Sequence, residues 1–103
     1  MKKTADEPWH LYMLRCADGT LYTGISNRLQ TRIKNHSRGK GARYTQTRLP
    51  VELVFSRKIG TRSQATKREY WFKQKTRREK IKFMEKWLNA RARQKNRRLK
   101  KPR

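Results

Sequence analysis

Apolar and polar residues alternate from Trp9 to Arg15, with Trp9, Leu11 and Met13 on one side and His10, Tyr12 and Leu14 on the other. A period of two is that of an extended strand, and apolar residues on both sides mark a strand covered on both faces, as a central strand is. Ala17-Asp18-Gly19-Thr20 reads as a turn, Asp-Gly being a strong hairpin signal. Leu21-Tyr22-Thr23-Gly24-Ile25 is the returning strand, and Gly24 suggests a bend or a close backbone approach. The period then changes. Ser26 or Asn27 can cap a helix over about residues 28–36, with Leu29 and Ile33 one turn apart, and Gly39-Lys40-Gly41 ends it. Val51-Glu52-Leu53-Val54-Phe55 is a third strand, rich in β-branched and aromatic residues. After Gly60, Ser63 is the expected cap of a second helix over about residues 64–75. Thr76-Arg77-Arg78-Glu79 is a capping-box sequence that opens a third helix, and Ile81, Met84, Trp87 and Leu88 form its apolar stripe.

The apolar pattern fades from about Asn89. Residues 91–103 hold eight Lys and Arg and no acid, a solvated tail or a frayed helical extension. The organisation expected is therefore an N-terminal extension over 1–8, a folded domain over 9–88 and a basic tail over 89–103. Leu, Ile, Val and Phe total only 17 of 103 residues, which with high charge approaches a disordered composition. The periodic pattern and the aromatic residues argue against that for the middle of the chain. Trp9, Trp71 and Phe72 read as core residues rather than base-stacking platforms.

Charge brings in function. The chain carries 30 Lys and Arg against 7 Asp and Glu, a net charge of +23. The partner expected is nucleic acid, whose phosphates reward Lys and Arg through counterion release. With ~6–10 phosphate contacts, affinity would fall roughly 10³–10⁵-fold between about 50 and 200 mM salt. No apolar run approaches the ~18 residues of a membrane span, and the N-terminus lacks the apolar stretch of a signal peptide. The lone cysteine, Cys16, excludes an internal disulfide framework and suits a reducing cytoplasm. One Cys and two His, His10 and His36, speak against a structural zinc site.

One acid breaks the charge pattern. Glu69 is the only carboxylate between Glu52 and Glu79, and it lies within Thr66-Lys67-Arg68-Glu69-Tyr70-Trp71-Phe72-Lys73. It is either half of an i,i+4 ion pair with Lys73 or the anchor of a cation. Two other features precede it in the chain. Tyr12 and Tyr22 lie on strands joined by a hairpin, and Arg32 and His36 share a helix face at i,i+4.

In this order the residues resemble the GIY-YIG nuclease superfamily, in particular its small stand-alone bacterial members and the N-terminal domain of the bacterial excinuclease. Leu11-Tyr12-Met13 is similar to the first tyrosine motif and Tyr22-Thr23-Gly24 to the second. Leu29 through His36 is similar to the family's helix, Ser37 through Thr45 to its loop, and Arg68-Glu69 to its acidic helix. The resemblance covers about residues 8–85. It implies an α/β (α+β) fold, a small three-stranded antiparallel sheet flanked by helices. It also implies an endonuclease that hydrolyses phosphodiester bonds in DNA with Mg²⁺ or Mn²⁺ and no small-molecule cofactor. Glu69 would be the metal ligand, Tyr12 a general base or water-positioning group supported by Tyr22, Arg32 a phosphate clamp and His36 a proton relay. Tyr12 would then need a pKa depressed by neighbouring cations.

DNA is favoured over RNA as the partner. Arg28, Lys34, Lys40, Arg43 and Tyr44 are candidate contacts within the domain. Arg68, Arg91, Arg93, Arg97 and Arg98 extend the set towards the tail. The alternative is a non-catalytic nucleic-acid-binding module on the same fold, suggested by Leu and Met beside Tyr12, Thr beside Tyr22 and the basic C-terminus.

Overall fold

A computed structural model describes residues 7–99. The N-terminal extension over 1–8 and the last residues of the tail fall largely outside the described residues. Strands β1 (Trp9–Cys16), β2 (Leu21–Ser26) and β3 (Val51–Gly60) form one antiparallel sheet in the order β2-β1-β3. The strand with apolar residues on both faces is thus the central one. Helices α1 (Leu29–Ser37) and α2 (Arg43–Gln46) lie between β2 and β3, and α3 (Arg62–Lys73) and α4 (Arg77–Leu99) follow them. The fold is α+β, with helices flanking a three-stranded sheet.

Register fixes what each face carries. Tyr12 pairs with Gly24 on one side and Ser56 on the other, while Met13 pairs with Thr23 and Phe55. Leu11, Met13, Val54 and Phe55 join Phe72 of α3 and Met84 of α4 in the core, with Ile81, Trp87 and Leu88 packed against it. The α4 stripe faces inward as its spacing requires. Phe55 stacks on Phe72 at 5.5 Å between ring centres, and Phe83 meets both edge-on.

The hairpin turn is held by Asp18, whose carboxylate accepts from the Thr20 amide (3.0 Å) and hydroxyl and pairs with Arg48 at 3.0 Å. Gly19 takes φ +86°, a left-handed conformation that Gly adopts without steric cost. The Thr76–Glu79 capping box forms as expected, each residue's side chain accepting the other's backbone N–H.

Two expected caps do not form. Arg28, not Ser26 or Asn27, occupies the cap position of α1, and the Ser26 hydroxyl accepts from the Arg28 amide instead. Thr61, not Ser63, caps α3, because Thr61 and Gln64 have the reciprocal spacing of a capping box. Trp71 corrects a third expectation. It is 44% exposed, with the Lys75 ammonium 4.2 Å from its ring centre. Phe72 takes the buried position beside it. Helix α4 runs through position 88 to Leu99, because the Ala-, Arg-, Gln- and Lys-rich sequence there favours helix without an apolar stripe.

Candidate active site

Tyr12 is the starting point, because a central strand places its hydroxyl in the interior. The residue is 1% exposed, and its hydroxyl lies 3.0 Å from Nε2 of His36. His36 projects from the last turn of α1 and is fully buried. Its other ring nitrogen, Nδ1, lies 2.9 Å from the Thr45 hydroxyl, which itself donates to the Ala42 carbonyl at 2.9 Å. The direction of this chain follows from counting protons. Thr45 commits its one hydroxyl proton to Ala42, so Nδ1 of His36 must be the donor to Thr45. Nε2 is then the bare nitrogen, and Tyr12 donates to it. Burial and the neighbouring Arg32 charge hold the His36 pKa below its ordinary value, which keeps the imidazole neutral as this arrangement needs.

Two glycines make room. An added Cβ at Gly24 would stand 2.6 Å from the Tyr12 hydroxyl, and one at Gly41 would meet Nδ1 of His36. Neither position accepts a side chain without displacing a ring of the relay.

Arg32, one turn before His36 on α1, interacts with the hydroxyls of both Tyr12 and Tyr22, which raises its own pKa further. Tyr22 packs against His36 at 5.4 Å between ring centres and stacks on Tyr44 at 5.9 Å, and the Arg48 guanidinium lies 3.9 Å over the Tyr44 ring. Glu69 sits one turn after the buried Ala65 of α3, on the side turned towards the sheet, and its charge is felt at Tyr12. Its carboxylate is bonded to Lys73 at 3.2 Å, so the ion pair anticipated from the i,i+4 spacing forms. Tyr12, Tyr22, Arg32, His36 and Glu69, drawn from four elements, meet in one region.

The pKa of Tyr12 runs against expectation. Burial raises it, with smaller upward contributions from Tyr22 and Glu69, and the Arg32 hydrogen bond only partly offsets them. The phenol is therefore held protonated, and neighbouring cations do not win. Desolvation outweighs the Arg32 guanidinium.

The family follows from the matched sequence. The model of the GIY-YIG catalytic domain matches residues 8–82. This chain belongs to the GIY-YIG family. The GIY-YIG match spans all three strands, α1, α2, α3 and the first turns of α4. Among relatives, the UPF0213 protein SAG0778 of Streptococcus agalactiae is 43% identical over 82 residues, 80% of this chain and 93% of that protein. UPF0213 protein YazA of Bacillus subtilis is 42% identical over 79 residues, 77% of this chain and 80% of that one. The solution structure of the protein EF2693 from E. faecalis superimposes with a TM-score of 0.54 at 36% identity, covering 82% of this chain and 86% of that one. A GIY-YIG fold of the small UPF0213 kind is what these likenesses share.

For a metal, the described residues contain no cluster of three or more His, Cys, Asp or Glu side chains. The donor set is one partly buried carboxylate. That fits a hard, hydrated ion such as Mg²⁺, which keeps most of its waters, and does not fit a closed zinc or calcium cage.

Arg28, Lys34, Lys40, Arg43 and Arg68 are exposed, as are Arg91 and Arg93 on α4. Arg91 lies 4.7 Å over the Trp87 ring. Arg97 and Arg98 fall in the last turns of α4, and their side chains lie outside the described residues. Sequence reasoning does not single out Thr45, Gly41 or α2 as parts of the site. The loop from Ser37 to Thr45 has a family likeness, but no periodicity marks which of its residues turns inward.

Proposed function

We propose that this protein is a divalent-metal-dependent endonuclease that hydrolyses phosphodiester bonds in DNA. The observation that carries the reading is the directional relay from Tyr12 to His36 to Thr45, with Arg32 at the phenol and Glu69 within electrostatic reach. A purely structural tyrosine needs only one partner for its hydroxyl. Here the acceptor is itself fixed by a further bond, and a cation stands beside the donor.

Glu69 would hold Mg²⁺ or Mn²⁺, which when bound supplies charge stabilisation at the phosphoryl oxygens and favours an ionised water nucleophile. The chain's own groups do the rest. Arg32, freed from competition for the tyrosines by a phosphate, clamps two of its oxygens bidentately. Tyr12 accepts the proton of the attacking water while its own phenolic proton passes to Nε2 of His36. The raised phenol pKa suits such a concerted hand-over, because no standing phenolate is required. Thr45 keeps the imidazole oriented in both protonation states, since Nδ1 is a donor in each. Tyr22 packs against the His36 ring and steadies it.

Supercoiled plasmid, single-stranded DNA, branched DNA and RNA of matching sequence, each with Mg²⁺, Mn²⁺ or EDTA, test the reading. Metal-dependent cutting of DNA that is lost in Glu69→Ala is expected; equal cutting by that variant would sink the mechanism. A second reading is a non-catalytic nucleic-acid-binding module, favoured by the Lys73–Glu69 pair, which neutralises the proposed metal ligand. It predicts EDTA-insensitive binding and no cutting of any substrate. Under either reading, no described helix is long and apolar enough to cross a membrane.

A further inference from the structure

Beside Tyr22 lies a groove of about 280 Å³ lined by Leu21, Tyr22, Thr23, Tyr44, Lys73 and Lys80. Its chemistry is one-sided, with two ammonium groups and no carboxylate among the lining residues. The Tyr44 ring is already engaged by Tyr22 and Arg48, so it serves as a wall rather than a platform for a base. The Thr23 hydroxyl supplies an independent sign. Thr23 is 4% exposed, and its hydroxyl has no hydrogen-bond partner among the described residues. A buried donor left unmade is costly, and a ligand that accepts its proton recovers that cost.

We propose that this groove is a second phosphate subsite, which holds a backbone phosphodiester of the bound strand next to the one clamped at Arg32. Lys73 and Lys80 neutralise the phosphate, and the Thr23 hydroxyl donates to it. This rests on the nucleic-acid reading above and deepens it. Lys73 gives the subsite a further role, because in the free protein its ammonium is the partner of Glu69 at 3.2 Å. A phosphate in the groove competes for that ammonium. Once Lys73 turns to the phosphate, the Glu69 carboxylate is left free for a cation. Strand binding and cation binding therefore favour one another, and the coupling runs equally in both directions.

The test uses the full chain. Fluorescent single- and double-stranded DNA oligonucleotides are titrated in EDTA across a range of salt with wild type, Lys73→Met, Lys80→Met and Lys58→Met, the last an exposed β3 cation outside the groove. Lys73→Met and Lys80→Met should each lower the salt slope by about one, and Lys58→Met should not. Thr23→Val should weaken binding roughly two- to tenfold without lowering the melting temperature, since it removes an unpaired hydroxyl. A merely structural threonine would change stability and leave affinity alone.

In a separate arm, Mn²⁺ binding to the protein without nucleic acid is read by electron paramagnetic resonance. Lys73→Met should bind the ion more tightly than wild type, and adding Glu69→Gln should remove the gain. Groove variants with the wild-type slope, or Lys73→Met with wild-type Mn²⁺ affinity, overturn the subsite while leaving plasmid cutting as evidence for the nuclease. Failure of wild type to bind any oligonucleotide overturns both readings.

Discussion

The two faces of β1 hold the molecule and the chemistry apart, although their residues alternate along a single strand. Leu11 and Met13 face an apolar cluster with Phe55, Phe72 and Met84. Tyr12, between them, faces His36, Gly24 and Arg32. Both faces are tightly buried, so burial does not distinguish them. Their tolerance does. Apolar packing is non-directional, and a lost methylene costs energy without misplacing a partner. The polar face depends on which atom donates to which, and on two glycines with no room for a methyl group.

Substitutions can separate these two kinds of order. Phe55→Ala should give the largest loss of stability, about 3–5 kcal/mol, because it removes a buried ring stacked on Phe72. Chemical denaturation measures that, and activity per folded molecule should change little. Gly41→Ala should do the reverse. Its new methyl meets His36, so the relay is displaced while the apolar cluster is untouched. Activity should fall at least roughly 10²-fold, as for loss of a positioned acid or base. A variant with wild-type turnover would show that His36 is not needed where it stands.

Tyr12→Phe comes next. It leaves Nε2 of His36 without its donor at a cost of about 1–3 kcal/mol, and should lower the rate of cutting roughly 10²–10⁴-fold while nucleic-acid affinity in EDTA stays near wild type. Equal losses in binding and cutting would assign the phenol to binding alone.

The smallest effect is in pH. The folded His36 pKa is depressed, so as pH falls through about 6.5 the unfolded chain takes up a proton that the folded one resists. The contribution of His36 is therefore present above that pH and lost below it. Melting temperatures followed from about pH 8 to 5 should decline less steeply in His36→Gln than in wild type. Parallel curves would place the decline on other groups.

Sequence is most legible where the candidate site is set by order along the chain. Tyr12, Tyr22, Arg32, His36 and Glu69 stand in a spacing that a short hairpin and two helices bring together, and periodicity alone indicates those elements. It is least legible where one side chain completes another across space. Thr45 looks like any loop threonine until His36 is seen to need an acceptor. Gly41 looks like a helix stop until the imidazole is placed against it. Trp71 departs from its expected burial because i,i+1 neighbours on a helix point apart, and only one of Trp71 and Phe72 could face the core. The Tyr12 pKa departs for a related reason. A tyrosine acting as a standing base would need depression by neighbouring cations, but burial of the phenol outweighs the Arg32 guanidinium beside it.

The Ala42 carbonyl, the last acceptor in the relay, has a consequence for spectroscopy. Free histidine favours the tautomer with its proton on Nε2, whereas this fold holds His36 with the proton on Nδ1. In a ¹⁵N spectrum the two ring nitrogens of His36 should exchange their usual identities, with the pyridine-like signal belonging to Nε2. A main-chain oxygen six residues away in sequence thus selects the resonance pattern of the imidazole.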